Sequence, residues 1–382
     1  MTIPIVDSHI HLWTETQLET LAWHNPNNPL GSQHSVEDYV SSAAAQETSK
    51  YQLQGFVYLE VDRISSVEEE NDTKGWKHVL DEVSFLARIA RGTPADGEGH
   101  VETHKSLMLG FVPWAPVPGG PVVLERYVSL VKGRIASSSA TNTEFYENDE
   151  VWKKFRGFRY LVQDKPAGTM LQPDFVEGLK WLGKQRLVFD LGVDARQGGL
   201  GQLREAVELI RRVNDGVSQE DRVVIIINHL CKPNLHIPPD QANNHPDFLE
   251  WKDLITAMAT HSTTTYMKLS GLFSEYPQQS EEITQGDEDP LIDRLVDHAR
   301  PWTDAVFDAF GPHRVMFGSD WPVCTVGTGA TASKSGGGRT GAWIRWRKVV
   351  ERILERRGLS EDEKKDVWGG VAVRAYGLDI VP

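Results

Sequence analysis

Cysteine is scarce: the 382 residues hold two, Cys231 and Cys324. That excludes a small disulfide-stapled scaffold, and no bridge between these two is expected. Long apolar runs are missing as well, since none approaches the roughly 20 residues that a membrane-crossing helix needs. Basic residues are outnumbered, with 40 Lys and Arg against 54 Asp and Glu and a formal net charge of −14. Nucleic acid and anionic membrane surfaces select clustered positive charge, so neither is expected as a partner. No Gly-x-Gly-x-x-Gly follows the first apolar run, which removes the main support for a doubly wound dinucleotide fold. The first strand begins by residue 3, leaving no room for a leader peptide, and a reducing cytoplasm is the expected setting.

What the chain does have is a recurring pattern. With 40% hydrophobic and 25% charged residues it has the balance of a globular protein able to bury a core. Ile3-Pro4-Ile5-Val6 opens a buried strand that ends in His9-x-His11, and a long loop rich in Asn, Pro and Trp follows over 13–34. Further strands are expected at 55–62, 106–112, 155–162, 186–191, 223–228, 266–271 and 314–317. Helical spacing falls between and after them at 35–50, 74–91, 122–131, 173–184, 199–214, 248–260, 290–310 and 342–357. A last helix starts at Ser360, with Glu363 three residues on as a capping box. Eight strand–helix units read most simply as one α/β domain over 1–382, a (β/α)8 TIM barrel with long loops on its C-terminal face. Five stretches lack periodicity: 92–104, 134–150, 231–247, 273–289 and 324–341. The first two belong to the bottom face, the last three to the top face where barrel active sites are built. The Gly-, Ser- and Thr-rich run 327–341 reads as a mobile lid or a disordered segment.

In a barrel, the polar residues at strand C-termini are the candidates for chemistry. Side chains two apart on a strand share a face, so His9 and His11 project together. Paired imidazoles suit one divalent metal, and the blander reading is two hydrogen-bonded histidines at a polar strand end. Later strand ends add Glu60, Asp62, Trp114, Arg159, Gln163, Asp190, His229, Lys232, Lys268, Ser270 and Asp320. Together they describe a polar funnel of three histidines and several carboxylates. Lys268 and Ser270 share one face of strand seven, and Arg159 ends strand four, as substrate-binding candidates. Lys232 fits an ion pair as well as a substrate contact. Trp13, Trp114 and Trp321 are candidate apolar walls of a pocket, though tryptophans at such places are more often packing.

Three motifs in this order carry a resemblance: His9-x-His11, Asn228-His229-Leu230-Cys231-Lys232-Pro233 and Gly318-Ser319-Asp320-Trp321-Pro322. They resemble the amidohydrolase superfamily, in the amidohydrolase-2 branch that holds sugar lactonases of the L-fuconolactonase and L-rhamnonolactonase kind. The tail from Trp368 to Leu378 is similar to that branch's closing Gly-Gly-Asn-Ala-x-Arg-x-Tyr-Gly-Leu, with Val371 in place of Asn. Strand five ends in Phe189-Asp190-Leu191, without the histidine or carbamylatable lysine of a binuclear centre. The resemblance therefore implies a lactonase opening a small aldonolactone, such as L-rhamnono- or L-fuconolactone, to the aldonic acid. It implies one divalent metal at most, zinc foremost, on His9, His11, Asp320 and His229, with metal-free catalysis left open. Asp320 would activate water, and His229, with Lys232 behind it, would steady the oxyanion or protonate the departing ring oxygen. The runner-up is a metal-dependent non-oxidative decarboxylase of the aminocarboxymuconate-semialdehyde type, which wants a histidine where Asp190 stands. A non-catalytic scaffold is the third reading, and a homo-oligomer is compatible with all three.

Overall fold

A computed structural model describes residues 2–44, 50–67, 74–137, 149–277, 288–327 and 337–380. Eight parallel strands form its centre: β1 Ile3–Ile10, β2 Tyr51–Leu59, β3 Met108–Val112, β4 Gly157–Leu161, β5 Val188–Gly192, β6 Ile225–Ile227, β7 Thr265–Leu269 and β8 Val315–Phe317. Apart from the start of β2, where Gln52, Leu53 and Gln54 are exposed or half-buried, they are nearly all buried, as strands covered on both faces must be. The ladders run as a three-stranded sheet β1-β2-β3 and a five-stranded sheet β4 to β8. Two seams join these into the barrel. At the first, Pro113 has no N–H to donate, and pairing is reduced to bridges Phe111–Phe155 and Trp114–Arg159. At the second, β8 meets β1 through the Ile10–Trp321 bridge, with His11 N donating to Trp321 O at 2.8 Å and Asp320 N to His9 O at 2.9 Å.

Around the strands lie α1 Val36–Ala44, α2 Lys77–Arg91, α3 Gly120–Ser137, α4 Pro173–Lys184, α5 Leu200–Asn214, α6 Pro246–His261, α7 Glu288–Phe310 and α8 Gly337–Arg356. Their inner faces are apolar: α4, for example, starts with proline in its first turn and buries Phe175, Val176, Leu179 and Leu182. The short α9 Glu361–Lys365 carries the expected capping box, Ser360 and Glu363 each accepting from the other's backbone N–H. After it a wide turn, Asp366–Gly370, leads to α10 Val371–Tyr376. This tail closes the bottom of the barrel. Val371, Ala372, Ala375, Tyr376 and Leu378 pack with barrel-interior residues Val6, Val57, Leu59, Val112, Ile226 and Met316.

The barrel expectation holds, with shifted edges. β2 begins at Tyr51 rather than 55, because Gly55 is a bulge inside the strand and not its start. A Cβ at Gly55 would lie 2.2 Å from Leu107 O, so only glycine fits there. α3 runs on to Ser137 and α8 starts at Gly337, both inside stretches read as aperiodic. Residues 138–148, 278–287 and 328–336 lie outside the described residues, and with them most of the expected 327–341 lid. Cys231 and Cys324 are buried and free. No helix among the described residues is long and apolar enough to cross a membrane.

Candidate active site

The β8–β1 seam is where the functional side chains meet. Asp7, fully buried, accepts from Ser319 N at 2.7 Å, Trp343 Nε1 at 2.8 Å and Tyr39 O–H at 3.0 Å. These bonds fasten the Ser319–Asp320 turn to β1. Asp320 itself sits at φ 58°, a left-handed conformation rare outside glycine. His229 to Lys232 form a left-handed turn of four non-glycine residues, with φ of 54°, 52°, 61° and 45°. Asp62, after β2, has φ 56°. Backbone strain of this kind gathers where side chains are held for function. Gly271 leaves room for the His229 ring, because a Cβ there would lie 2.4 Å from His229 Nδ1.

Asp320 Oδ1 lies 3.5 Å from both His9 Nε2 and His11 Nε2, and 3.8 Å from His229 Nε2. The two strand-one nitrogens are 3.1 Å apart. Each ring is held from behind by a different partner. His11 Nδ1 donates to Leu59 O at 2.9 Å, so its Nε2 is the nitrogen left to face the cavity. His229 Nδ1 lies 2.8 Å from Ser270 Oγ. His9 Nδ1 lies 3.1 Å from Lys268 Nζ.

Electrostatics follow from burial. It pushes His229 down to about 3, against the pull of Asp320, and His9 far below the ordinary imidazole range, with Lys268 adding to the effect. Burial alone would raise the Asp320 carboxyl, but His229, His11 and Lys232 together hold it below its usual value. At neutral pH the Asp320 carboxylate thus sits beside the unprotonated imidazoles of His9 and His229. Donors 3.1 to 3.8 Å apart have the edge lengths of a ligand shell around an ion bonded at about 2.0–2.2 Å. His9, His11 and Asp320 form such a cluster and fit a single divalent metal, and His229 Nε2 stands 3.8 Å from the shared carboxylate oxygen. A backbone carbonyl behind His11 is a common support for a ligating imidazole.

His11, His229 and Asp320 floor a cavity of about 350 Å³, within the range of small-molecule sites. Its walls include Glu60, Asp62, Arg159, Gln163, Lys232 and Ser274. The 13–34 loop supplies Trp13 and Trp23, set edge to face 5.2 Å apart, with Asn28 and Leu30. Trp23 went unnoticed in the sequence, where nothing local separates it from the loop's other residues.

Several expected contacts are not where a substrate would meet them. Trp321 turns away, packing on His34 and Tyr39, and Trp114 packs on Tyr127 and Tyr160; neither lines the cavity. Lys268 is fully buried beneath the floor, ion-paired with Asp190 Oδ2 at 2.8 Å. Ser270 is spent on His229. Both therefore position imidazoles rather than face the cavity. Burial pushes Lys268 down to about 8 in spite of Asp190. The same Asp190 oxygen accepts from Tyr376 O–H at 2.7 Å, so the C-terminal tail reaches the site through one chain of contacts. Lys232 lines the cavity and also approaches Asp194 at 3.8 Å. Arg159 lines it as expected.

Fold and floor together define a (β/α)8-barrel hydrolase scaffold built on three imidazoles and one carboxylate. The chain belongs to the amidohydrolase family, whose model matches residues 140–378. It is 32% identical over 376 residues, 98% of each chain, to an L-rhamnono-gamma-lactonase of Scheffersomyces stipitis. It is 30% identical over 227 residues to an L-fucono-1,5-lactonase of Burkholderia multivorans, covering 59% of this chain and 64% of that one. Among solved structures, an amidohydrolase from Burkholderia multivorans with bound zinc superposes with a TM-score of 0.64 at 22% identity, covering 98% and 99% of the two chains. A 2,6-dihydroxybenzoate decarboxylase from Rhizobium shares the fold with a TM-score of 0.53 at 12% identity, covering 100% of each.

Proposed function

We propose that this chain hydrolyses a small sugar lactone to its aldonic acid. The observation that carries the reading is the Asp320 carboxylate, 3.5 Å from two imidazoles at the floor of a cavity sized for a sugar, in a chain similar end to end to a lactonase. Asp320 stays ionised and accepts the proton of a water placed between it and the ring carbonyl. Water attacks, the carbonyl oxygen becomes an oxyanion, and the Lys232 ammonium, which lines the cavity, is the donor at hand to steady it. The acyl–oxygen bond then breaks. His229, unprotonated at neutrality, is a poor acid for the departing oxygen, so the proton taken up by Asp320 is the one returned to it. His9, His11, Asp320 and His229 would hold one divalent metal, zinc foremost, which when bound supplies Lewis acidity toward the carbonyl and lowers the pKa of water.

The decarboxylase alternative loses ground because the strand-five residue Asp190 is engaged by Lys268 and Tyr376 below the floor. The test is a panel of aldonolactones followed by acid release, alongside elemental analysis and an assay of carbon dioxide release from aromatic acids. Acid release with zinc at one equivalent or less supports the reading. Carbon dioxide release without lactone opening overturns it.

A further inference from the structure

The loop after β1 runs over 13–34 with one short 3-10 turn, Glu15–Thr20, and a loop of that length in a compact domain is usually built for a task. Its ends are tied to each other, Trp13 N donating to His34 O and His34 N to Trp13 O, both at 3.0 Å. Its middle is tied to the segment that leaves β2: Ala22 N donates to Asp62 O at 2.9 Å and Ile64 N to Thr20 O at 2.8 Å. Between these two bonds stands Arg63, 2% exposed. Its Nε donates at 2.8 Å to Oε1 of Glu82 on α2, a carboxylate that is itself wholly buried. Its other two nitrogens reach the loop, Nη1 donating to Thr20 Oγ1 at 2.6 Å and Nη2 to Gln17 Oε1 at 3.0 Å. One guanidinium thus pins the loop to the barrel, a task that suits its planar fork and that a single ammonium cannot copy.

What the pin holds in place is Trp23. Its Nε1 donates to Val61 O at 2.8 Å, and Trp13 Nε1 donates to Ser32 O at 2.7 Å, so both indoles have spent their one polar atom on backbone. Trp13 is 1% exposed, whereas Trp23 is half-buried and lines the cavity. Bare ring carbon is therefore what Trp23 offers an occupant, an apolar wall in an otherwise polar cavity. We infer that the C–H face of the bound lactone ring packs on Trp23, and that Arg63 is the positioning residue that sets this wall before substrate arrives. The inference rests on the lactonase reading and adds to it a binding residue and its support. A wall fixed in advance needs no ordering on binding. Its contact is the same before and during the attack on the carbonyl, so losing it belongs in KM and not in kcat.

The experiment measures kcat and KM on one aldonolactone for wild type, Trp23→Ala, Trp23→Phe, Arg63→Lys and the pair Gln17→Leu with Thr20→Val. Trp23→Ala should raise KM about 10-fold or more with kcat within about threefold, and Trp23→Phe, which keeps a flat apolar face, should restore most of the loss. Arg63→Lys keeps the charge against Glu82, and the pair removes only the loop's acceptors; each should raise KM about 3- to 10-fold. Added to Trp23→Ala, either change should move KM by less than about twofold, because the wall it holds is already gone. A merely structural role for Arg63 predicts instead a falling kcat and effects that multiply with Trp23→Ala, and that result would overturn the inference. So would an unchanged KM in Trp23→Ala, which leaves the lactonase reading standing. A wild type that opens no aldonolactone would remove the reading and the inference together.

Discussion

Replacing Lys268 by methionine tests the buried link between the barrel floor and the tail. The side chains of Lys268 and Asp190 are both wholly buried, and Asp190 Oδ1 already lacks a partner. Methionine fills nearly the same volume but leaves the carboxylate only the Tyr376 hydroxyl. Removing one member of a buried pair costs about 3–5 kcal/mol, because the surviving charge is stranded. The pair itself is worth less, since both charges lost their hydration on folding. Adding Asp190→Asn to Lys268→Met should therefore recover about 1–3 kcal/mol of that loss. Urea unfolding at pH 7 measures wild type, Lys268→Met, Asp190→Asn and the double variant, with m required to stay constant. A loss below about 1 kcal/mol for Lys268→Met, or a double variant as unstable as the two single losses added, would refute the reasoning. Tyr376→Phe, which removes one hydrogen bond to the same oxygen, should cost about 1–3 kcal/mol.

Other outcomes follow from the same geometry. Gly271→Ala places a Cβ 2.4 Å from His229 Nδ1 at a φ of +67°, so it should lower stability by at least about 1 kcal/mol and abolish most turnover, read by thermal melting and lactone assay. Glu60 binds its proton with a folded pKa of about 8 against 4.5 for the free side chain. Between those values the folded state holds more protons, so its contribution is full below pH 4.5 and is lost as pH rises through 8. Relative to Glu60→Gln, wild type should lose stability from pH 5 to pH 9 in denaturant titrations. His229 runs the other way: its pKa falls from 6.5 to about 3, so its contribution is present above 6.5 and is lost as pH drops toward 3. Relative to His229→Gln, wild type should weaken on acidification over that window.

The barrel was legible because each strand is a short buried run with a helical stretch after it. His9 and His11 were readable from spacing alone, since alternation on a strand puts them on one face. Alternation gave no such help at Trp321, because β8 ends at Phe317 and the chain turns left-handed at Asp320 before Trp321 packs on His34 and Tyr39. The roles of Lys268 and Ser270 were hidden, because position on strand seven says which face they occupy and not that His9 and His229 already fill it. Tyr376 was hidden more deeply. Its hydroxyl meets Asp190 only because the tail folds under the barrel, a contact spanning 186 residues of sequence. Gly55 misled for a local reason, as glycine marks both strand ends and strand bulges.

The most direct test of the Asp320 assignment is a pH-stat comparison of wild type and Asp320→Asn on one aldonolactone at matched enzyme concentration. Asparagine keeps the shape of the side chain but cannot take a proton from water, so kcat should fall by about 100- to 10,000-fold while KM changes little. Undiminished acid release by Asp320→Asn would contradict the account.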